Sequence, residues 1–320
     1  MPLYEKKNFT AGMNIGQKVL YYLLYSFAYL HSLLPLRVLY VFSDMLYLLV
    51  YYVARYRRKL VRKNLSDSFP EKSKDELLKI ERGFYHWFCD YIYEAIKLTS
   101  MSKEQMRRRV TFHNLEYMYQ LIEQNRSVLL YFGHYCNWEW FTGFTLYMPD
   151  KIKGGQVYHP LENKAFDALL LKIRDRMGSE SISMFNVLRH IVKARRDGLL
   201  CIIGFNSDQV PLYPATRYWT DFLNHKDTLV ITGTEQIARQ FDFASIYFDL
   251  RRPRRGYYDI TVVPVAEHPK ELPEWEVTER YIRLLEKTIQ RQPEYWLWTH
   301  NRWKRDLKGL EEYNRTVHKK

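Results

Sequence analysis

Near the middle of the chain lies the sequence Ser127-Val-Leu-Leu-Tyr-Phe-Gly-His-Tyr-Cys-Asn-Trp-Glu-Trp140. Its segment up to Phe132 is rich in residues that are typical of a buried strand. Gly133 interrupts this run, and Asn137 can cap a following helix. The pattern therefore predicts a strand, a turn that contains His134, and a helix. Open α/β sheets carry their chemistry at such a strand end.

The spacing of His134 and Glu139 indicates a catalytic pair. The two residues lie five positions apart, so inside a regular helix their side chains would point in different directions. They can meet only if the histidine lies in the turn and the glutamate on the first helical turn. Glu139 would then orient the ring, and His134 would act as a general base on a substrate hydroxyl. The alternative is a strand-end histidine that makes only local hydrogen bonds.

The segments around this stretch alternate between helical and strand-like patterns. Helices are predicted at 77–95, 114–124, 138–147, 163–177, 185–196, 228–240 and 277–291. Strands are predicted at 127–132, 156–159, 199–205, 244–251 and 257–264. Ser73 and Glu76 form a capping box in front of the first helix. This alternation predicts a layered α/β domain.

The composition limits the classes of function. A chain of 320 residues can hold one large α/β domain and an attachment region, and its net charge of +13 favours anionic partners. The sequence lacks the signatures of RNA-binding modules, of the phosphate-binding GxxxxGK[ST] loop, of the GxSxG nucleophile elbow and of the HExxH zinc-binding helix. Neither a nucleic-acid partner nor a bound metal is therefore indicated. Cys89, Cys136 and Cys201 are too widely spaced for a zinc site or a disulfide framework.

Two apolar runs near the N-terminus predict membrane attachment. They cover 19–36 and 38–54, each near the lower limit of about 17–25 residues for a spanning helix. The basic cluster behind them is expected on the cytoplasmic face and consists of Arg55, Arg57, Arg58, Lys59, Arg62 and Lys63. Lys6 and Lys7 precede the first run, so both ends of the resulting hairpin would face the cytoplasm. The alternative is a pair of buried helices.

These patterns divide the chain into two parts. Residues 1–63 are expected to form the membrane-attachment region, and residues 64–320 the α/β domain.

The sequence from Gly133 to Glu139 resembles the HX4E signature of the lipid A late (secondary) acyltransferases, which belong to the lysophospholipid acyltransferase superfamily. Four further segments resemble other motifs of this family in the same order. They are Tyr158-His-Pro-Leu-Glu-Asn-Lys164, Arg174-Asp-Arg176-Met-Gly178, Ser207-Asp-Gln-Val-Pro211 and Pro293-Glu-Tyr-Trp-Leu-Trp-Thr-His-Asn-Arg-Trp-Lys304. The similarity covers most of the chain, and several ordered motifs are more specific than one.

The resemblance implies a glycerol-3-phosphate acyltransferase-like domain and a membrane-associated O-acyltransferase at the cytoplasmic face of the cell inner membrane. A fatty acyl thioester on acyl carrier protein would donate its chain to a hydroxyl of a lipid A precursor. His134 would be the base and Glu139 its orienter. Acyl transfer from a thioester needs no cofactor.

The resemblance also implies that Arg174, Arg176, Asp208 and Asn137 bind substrate. Arginine suits a phosphate because its planar guanidinium group can donate two hydrogen bonds to it at once. Arg174 is the favoured candidate. From position alone, the favoured explanation of the two arginines is a solvated basic helix end that complements the helix dipole, and Asp208 could equally be part of an ordinary turn. The C-terminal motif residues expected at the domain edge and membrane surface are Trp298, His300, Arg302 and Lys304.

Two other functions are compatible with the sequence. Tyr135-Cys136 and Phe205-Asn206 depart from the family pattern, so the acceptor could be another lyso- or hydroxy-lipid, such as a phospholipid or an amino-acid lipid. Gly133 before the histidine and the acid at Glu139 favour the lipid A branch. A non-catalytic lipid-binding protein at the membrane is the second alternative, and the intact His134–Glu139 pair argues against it.

Overall fold

The computed structural model describes residues 8–149 and 152–317. Lys6 and Lys7, the positive charges expected in front of the first apolar run, lie outside the described residues. So do the outermost residues of the two regions that we assigned at 1–63 and 64–320.

A mixed sheet forms the centre of the domain. The strands are β1 Val110–His113, β2 Val128–Phe132, β3 Ile152–Tyr158, β4 Glu180–Ser183, β5 Leu200–Asn206, β6 Trp219–Phe222, β7 His225–Leu229, β8 Ala244–Arg254 and β9 Tyr257–Ala266. Seven of them make one sheet in the order β1-β9-β8-β2-β5-β3-β4, and β6 and β7 make a separate antiparallel pair. Within the large sheet only β8 and β9 pair antiparallel. This architecture confirms the predicted α/β class.

Helices cover both faces of the sheet. They are α1 Ile15–Leu33, α2 Leu36–Leu48, α3 Arg58–Ser68, α4 Lys74–Lys97, α5 Lys103–Arg109, α6 Leu115–Glu123, α7 Lys164–Arg174, α8 Val187–Arg196, α9 Gly233–Phe241, α10 Glu276–Arg291 and α11 Leu307–Val317. Adjacent strand residues point to opposite faces. Accordingly, Leu129 packs with α8 and α9, whereas Leu130 belongs to the larger apolar cluster that includes α4. Ser73 and Glu76 form the expected capping box of α4.

Several short elements differ from the sequence prediction. The strands β1 and β4 lie at the two edges of the sheet and were not predicted. Each has only four residues, too few to show the alternation of apolar and polar side chains that is typical of a strand. Thr228 belongs to a hairpin strand, and the helix predicted at 228–240 begins only at Gly233. The turn of that hairpin uses Leu223 and Asn224 with positive φ, without the usual Asn-Gly signal. The segment predicted as a helix at 138–147 is a 3₁₀ helix that begins at Trp140.

The two N-terminal apolar runs are the helices α1 and α2, and α2 continues as a π-helix over Leu49–Val53. Among the described residues, one helix, Leu36–Val53, is long and apolar enough to cross a membrane, and 22% of it is buried. Polar contacts at its middle bind it to the domain. Ser43 donates a hydrogen bond to Asp90 of α4 over 2.7 Å, and Arg255 of the β8–β9 turn pairs with Asp44 over 2.6 Å.

Candidate active site

His134 follows the end of β2, where the sheet topology brings a second loop beside it. β2 and β5 are parallel neighbours, and Phe132 pairs with Asn206. The residues that follow the two strands therefore emerge side by side at the carboxyl edge of the sheet. Gly133 makes room for this approach: a Cβ there would lie 2.7 Å from Leu285 Cδ1 and 3.2 Å from an Asp208 carboxylate oxygen.

Asp208 is the hydrogen-bonding partner of the His134 ring. Nδ1 of the ring lies 2.7 Å from Oδ1 of Asp208, and the backbone N–H of His134 donates to Oδ2 over 2.8 Å. The indole N–H of Trp296 donates to the same Oδ2 over 2.8 Å. A carboxylate at Nδ1 selects the tautomer that carries its proton there, which leaves Nε2 as the basic nitrogen.

The Asp208 carboxyl is held in its ionised form. Burial alone would raise its pKa, but the charge and hydrogen bonds of His134 and the hydrogen bond from Trp296 lower the pKa from 3.8 to about 2. The pair therefore consists of a buried carboxylate and a ring whose second nitrogen, Nε2, carries no proton in this tautomer.

The His134 ring borders a narrow crevice. The crevice is lined by His134, Asp208, Gln209, Trp296, Leu297 and His300, and it has no room for a water molecule. The Gln209 side-chain amide lies 3.3 Å from Nε2 of His134. Burial lowers the pKa of His300 to about 4, so this second ring is neutral at pH 7.

Glu139 forms a hydrogen-bonded ion pair with Arg174. The sequence pattern predicted a hydrogen bond to His134 instead. The Arg174 guanidinium donates to both carboxylate oxygens, over 2.7 and 2.6 Å, and the Tyr91 hydroxyl donates over 3.2 Å. The expected orienting contact from Glu139 to the His134 ring is replaced by the contact from Asp208. The reason is geometric, because Glu139 enters the 3₁₀ helix on the side that faces α7, within reach of its last residue.

The Glu139–Arg174 pair is a buried, charge-assisted contact. Burial opposes ionisation of Glu139, but the charge and hydrogen bonds of Arg174, the Tyr91 hydrogen bond and the charge of His134 outweigh it and lower the pKa. Burial likewise opposes the charge of Arg174, and Glu139 raises the pKa of the guanidinium. The Arg174 side chain stays 17% exposed, so a part of this arginine remains accessible to solvent.

Asn137 is buried and uses both ends of its side-chain amide. Its NH₂ group donates to a carboxylate oxygen of Glu94 over 2.8 Å, and its oxygen accepts from the backbone N–H of Trp140 over 3.2 Å. The Trp140 indole donates to the Glu94 carbonyl over 3.0 Å. Asn137 therefore ties the loop to α4.

The other two predicted binding residues have different positions. Asp208 is buried against His134, as described above. Arg176 is exposed, and its guanidinium donates to the carbonyl of Met101 over 3.3 Å, so the structure does not bring it to the histidine.

Sequence reasoning missed three residues of the site. Trp296 lies in a quoted motif but carried no assigned role, and Gln209 is the neighbour of Asp208. Tyr91 lies in α4 and carried no assigned role. Two residues of the C-terminal motif, Trp298 and Arg302, are buried. The expectation that they shape the membrane surface is therefore wrong, because side chains enclosed by the domain cannot contact lipid.

Comparisons with known proteins identify the family of the chain. A family model described as bacterial lipid A biosynthesis acyltransferase matches residues 6–305. Lipid A biosynthesis lauroyltransferase of Escherichia coli (strain K12) is 25% identical over 258 residues, which cover 79% of this chain and 81% of that protein. Lipid A biosynthesis acyltransferase 2 of Shigella flexneri is 25% identical over 185 residues, 57% of this chain and 58% of that protein. Because the family model matches nearly the whole sequence, the chain belongs to the bacterial lipid A biosynthesis acyltransferases.

Proposed function

We propose that the protein transfers a fatty acyl chain from the thioester of acyl carrier protein to a hydroxyl of a lipid A precursor. The family supports acyl transfer in lipid A biosynthesis. The observation that carries the finer proposal is the 2.7 Å contact between His134 Nδ1 and the buried Asp208 carboxylate. It prepares Nε2 to remove a proton from a hydroxyl at the carboxyl edge of the sheet.

The proposed reaction is direct transfer between the two substrates. Nε2 of His134 takes the hydroxyl proton while the hydroxyl oxygen attacks the thioester carbonyl carbon. The tetrahedral intermediate then collapses, its carbon–sulfur bond breaks, and the ester of the acceptor is released. The departing thiolate takes the proton from the imidazolium, which restores the neutral ring. No cofactor enters this balance.

The charged groups around the ring have separate roles in this mechanism. Asp208 positions the ring and stabilises the imidazolium. Glu139, the second member of the predicted pair, contributes its buried negative charge and holds Arg174. Arg174 keeps part of its guanidinium at the site, where it binds a substrate phosphate or the developing oxyanion. Asn137 positions the loop.

The helices α1 and α2 are proposed to attach the protein to the cytoplasmic face of the inner membrane. Their exposed sides are apolar and are followed by the basic cluster that begins at Arg55. Ser43 and Asp44 at the middle of α2 are bonded to the α/β domain. A helix bound in this way cannot cross the bilayer unless the α/β domain enters the bilayer as well. We therefore favour a position of α2 in the membrane–water interface.

The test is an acyl-transfer assay with purified protein, radiolabelled acyl–acyl carrier protein and three acceptors: a lipid A precursor, a lysophospholipid and an amino-acid lipid. The expected product is the acylated lipid A precursor, formed by the parent protein and by His113→Ala, an exposed histidine at the end of β1, but not by His134→Ala. Acylation of only another acceptor would overturn the substrate assignment. Acylation by none, with intact lipid binding, would support the non-catalytic alternative.

A further inference from the structure

The carboxyl edge of the sheet carries three further loops beside the candidate active site. β2, β5, β3 and β4 are mutually parallel and adjacent, so their carboxyl ends meet at one edge. His134 follows β2 at this edge. The loops that follow β3, β4 and β5 therefore surround the histidine on one side.

Each of these three loops exposes a large apolar side chain. Leu161 after β3 is 45% exposed, Met184 and Phe185 after β4 are 49% and 74% exposed, and Leu212 after β5 is 60% exposed. We call these four residues the apolar rim. Single exposed apolar side chains are common on protein surfaces, but a set repeated in consecutive loops around a site indicates an interaction surface.

The apolar rim is continuous with the N-terminal helices. Lys164, three residues after Leu161, donates from its ammonium to the carbonyl of Gly12 over 3.2 Å. Gly12 lies three residues before the start of α1 at Ile15, and Ile15 is 82% exposed. The apolar surface of α1 therefore begins at the same edge of the domain as the rim.

Exposed basic side chains accompany the rim on the same elements. They are Lys164 and Arg189 at the first turns of α7 and α8, and Arg217 a few residues after Leu212. Apolar tips beside cations match the boundary between acyl chains and anionic headgroups.

From this arrangement we infer that the apolar rim inserts into the lipid surface and holds the sheet edge that carries His134 against the bilayer. The inference deepens the proposed function and rests on its membrane association. A lipid acceptor then reaches the histidine without its acyl chains leaving the membrane. Lipid suits this surface better than a protein partner, because the rim side chains stand on separate loops and are accompanied by exposed basic side chains.

Site-specific labels test contact with lipid. The three native cysteines are buried, so a new surface cysteine can be labelled selectively with an environment-sensitive fluorophore. The full-length variants are Phe185→Cys in the rim, Met45→Cys on the exposed side of α2, and Gln124→Cys at the opposite edge of the sheet. They are mixed with phosphatidylethanolamine–phosphatidylglycerol vesicles that carry brominated acyl chains.

Quenching of the Phe185 and Met45 labels, with none at Gln124, is the expected result. Quenching at Met45 alone would overturn the rim and leave membrane attachment in place. Quenching at neither position would overturn both. A Phe185 label that ignores vesicles and responds only to acyl carrier protein would make the rim a protein-docking surface and overturn the inference.

Steady-state kinetics provide an independent test of the apolar rim. Phe185→Asp should raise the apparent KM for a vesicle-bound acceptor at least about tenfold and leave kcat for a detergent-dispersed acceptor within about twofold. The matched control is Val192→Asp, at an exposed apolar position farther along α8, which should change neither value. Equal loss of both activities in Phe185→Asp, with unchanged melting, would overturn the rim without bearing on the proposed chemistry.

Discussion

The sequence predicted His134 as a site residue, but it did not predict the hydrogen-bonding partner that the structure gives its ring. A histidine directly after an apolar strand and a glycine is a local signal. Asp208 lies 74 residues away, and the contact exists only because β2 and β5 are neighbours in the sheet. A spacing rule favours partners that are close in sequence, so it selected Glu139. The sequence predicted which charged residues belong to the candidate site, but not how they pair.

This pairing predicts an order of effects for substitutions. His134→Ala and Asp208→Asn should each reduce acyl transfer about 10²–10⁴-fold, because the first removes the base and the second its tautomer and its counter-charge. The double variant should be about as slow as the worse single variant, since the two residues act as a unit. Glu139→Gln should add its own loss to Asp208→Asn. The measurement is the single-turnover rate, with thermal melting as the folding control.

A different result would restore the original assignment. If Glu139→Gln abolishes transfer and Asp208→Asn leaves it unchanged, the glutamate orients the ring in the reacting enzyme.

The lowered pKa of Asp208 predicts a pH dependence of stability. The folded pKa of about 2 lies below the ordinary value of 3.8, so the ionised form stabilises the fold above pH 4. This contribution, about 2 kcal/mol, is lost as the pH falls from about 4 to 2. Melting temperatures between pH 6 and pH 2 should fall less steeply in Asp208→Asn than in the parent. Parallel curves would contradict the assignment.

Cys136 lies inside the motif but is not expected to act as a nucleophile. It is buried, and burial raises the pKa of its thiol well above the usual range. A protonated, enclosed thiol is a poor nucleophile. Cys136→Ala and Cys136→Ser should therefore keep at least about half of the parent rate. A covalent acyl-enzyme at this cysteine, detected by intact-mass spectrometry, would refute direct transfer.

At the scale of elements, α4 is the support of the motif loop. Glu94 is fully buried, and its carboxylate accepts from Asn137, Tyr40 and Tyr258, which lie on the loop, α2 and β9. Burial raises the pKa of Glu94, and Arg252, 3.6 Å away, opposes that rise. One carboxylate thus connects the loop, an N-terminal helix and the sheet.

Removing this charge should destabilise the protein strongly. Glu94→Gln keeps the shape of the side chain but leaves Arg252 partly unpaired and introduces donors where three donors already point. Breaking a buried ion pair costs about 3–5 kcal/mol. The expected result is a lower melting temperature and a reduced kcat, with Glu116→Gln on the exposed start of α6 as the control. A melting temperature equal to that of the control would contradict this role.

Elements with a strong local signal were predictable, and weak ones were not. The long apolar runs of β2 and β5 and the capping box of α4 give such signals. The edge strands β1 and β4 are too short to show an alternating pattern. The hairpin turn at Leu223 has no glycine, which is the usual sign of such a turn. Tertiary pairing alone holds these elements, so no pattern in the sequence indicates them.

At the scale of the whole molecule, two different forces are expected to hold the protein on the membrane. The exposed sides of α1 and α2 bury apolar surface in lipid, and the basic cluster attracts anionic headgroups. Salt screens only the second force, within a Debye length of about 8–10 Å. Membranes washed in 1 M salt should therefore retain the protein. A variant with Arg55, Arg57 and Lys59 changed to Gln should also remain bound, and full release of the parent by salt would contradict apolar attachment.

The contacts around His134 also determine when the site can form during synthesis. The backbone N–H of Cys136 donates to the carbonyl of Tyr295, and Trp296 donates to the carboxylate that holds the histidine. A ribosome translates α1 and α2 first and the segment around Trp296 more than two hundred residues later. The nascent chain can thus reach the lipid surface long before it is able to turn over substrate. Unfinished or prematurely terminated chains would occupy the membrane without acylating it.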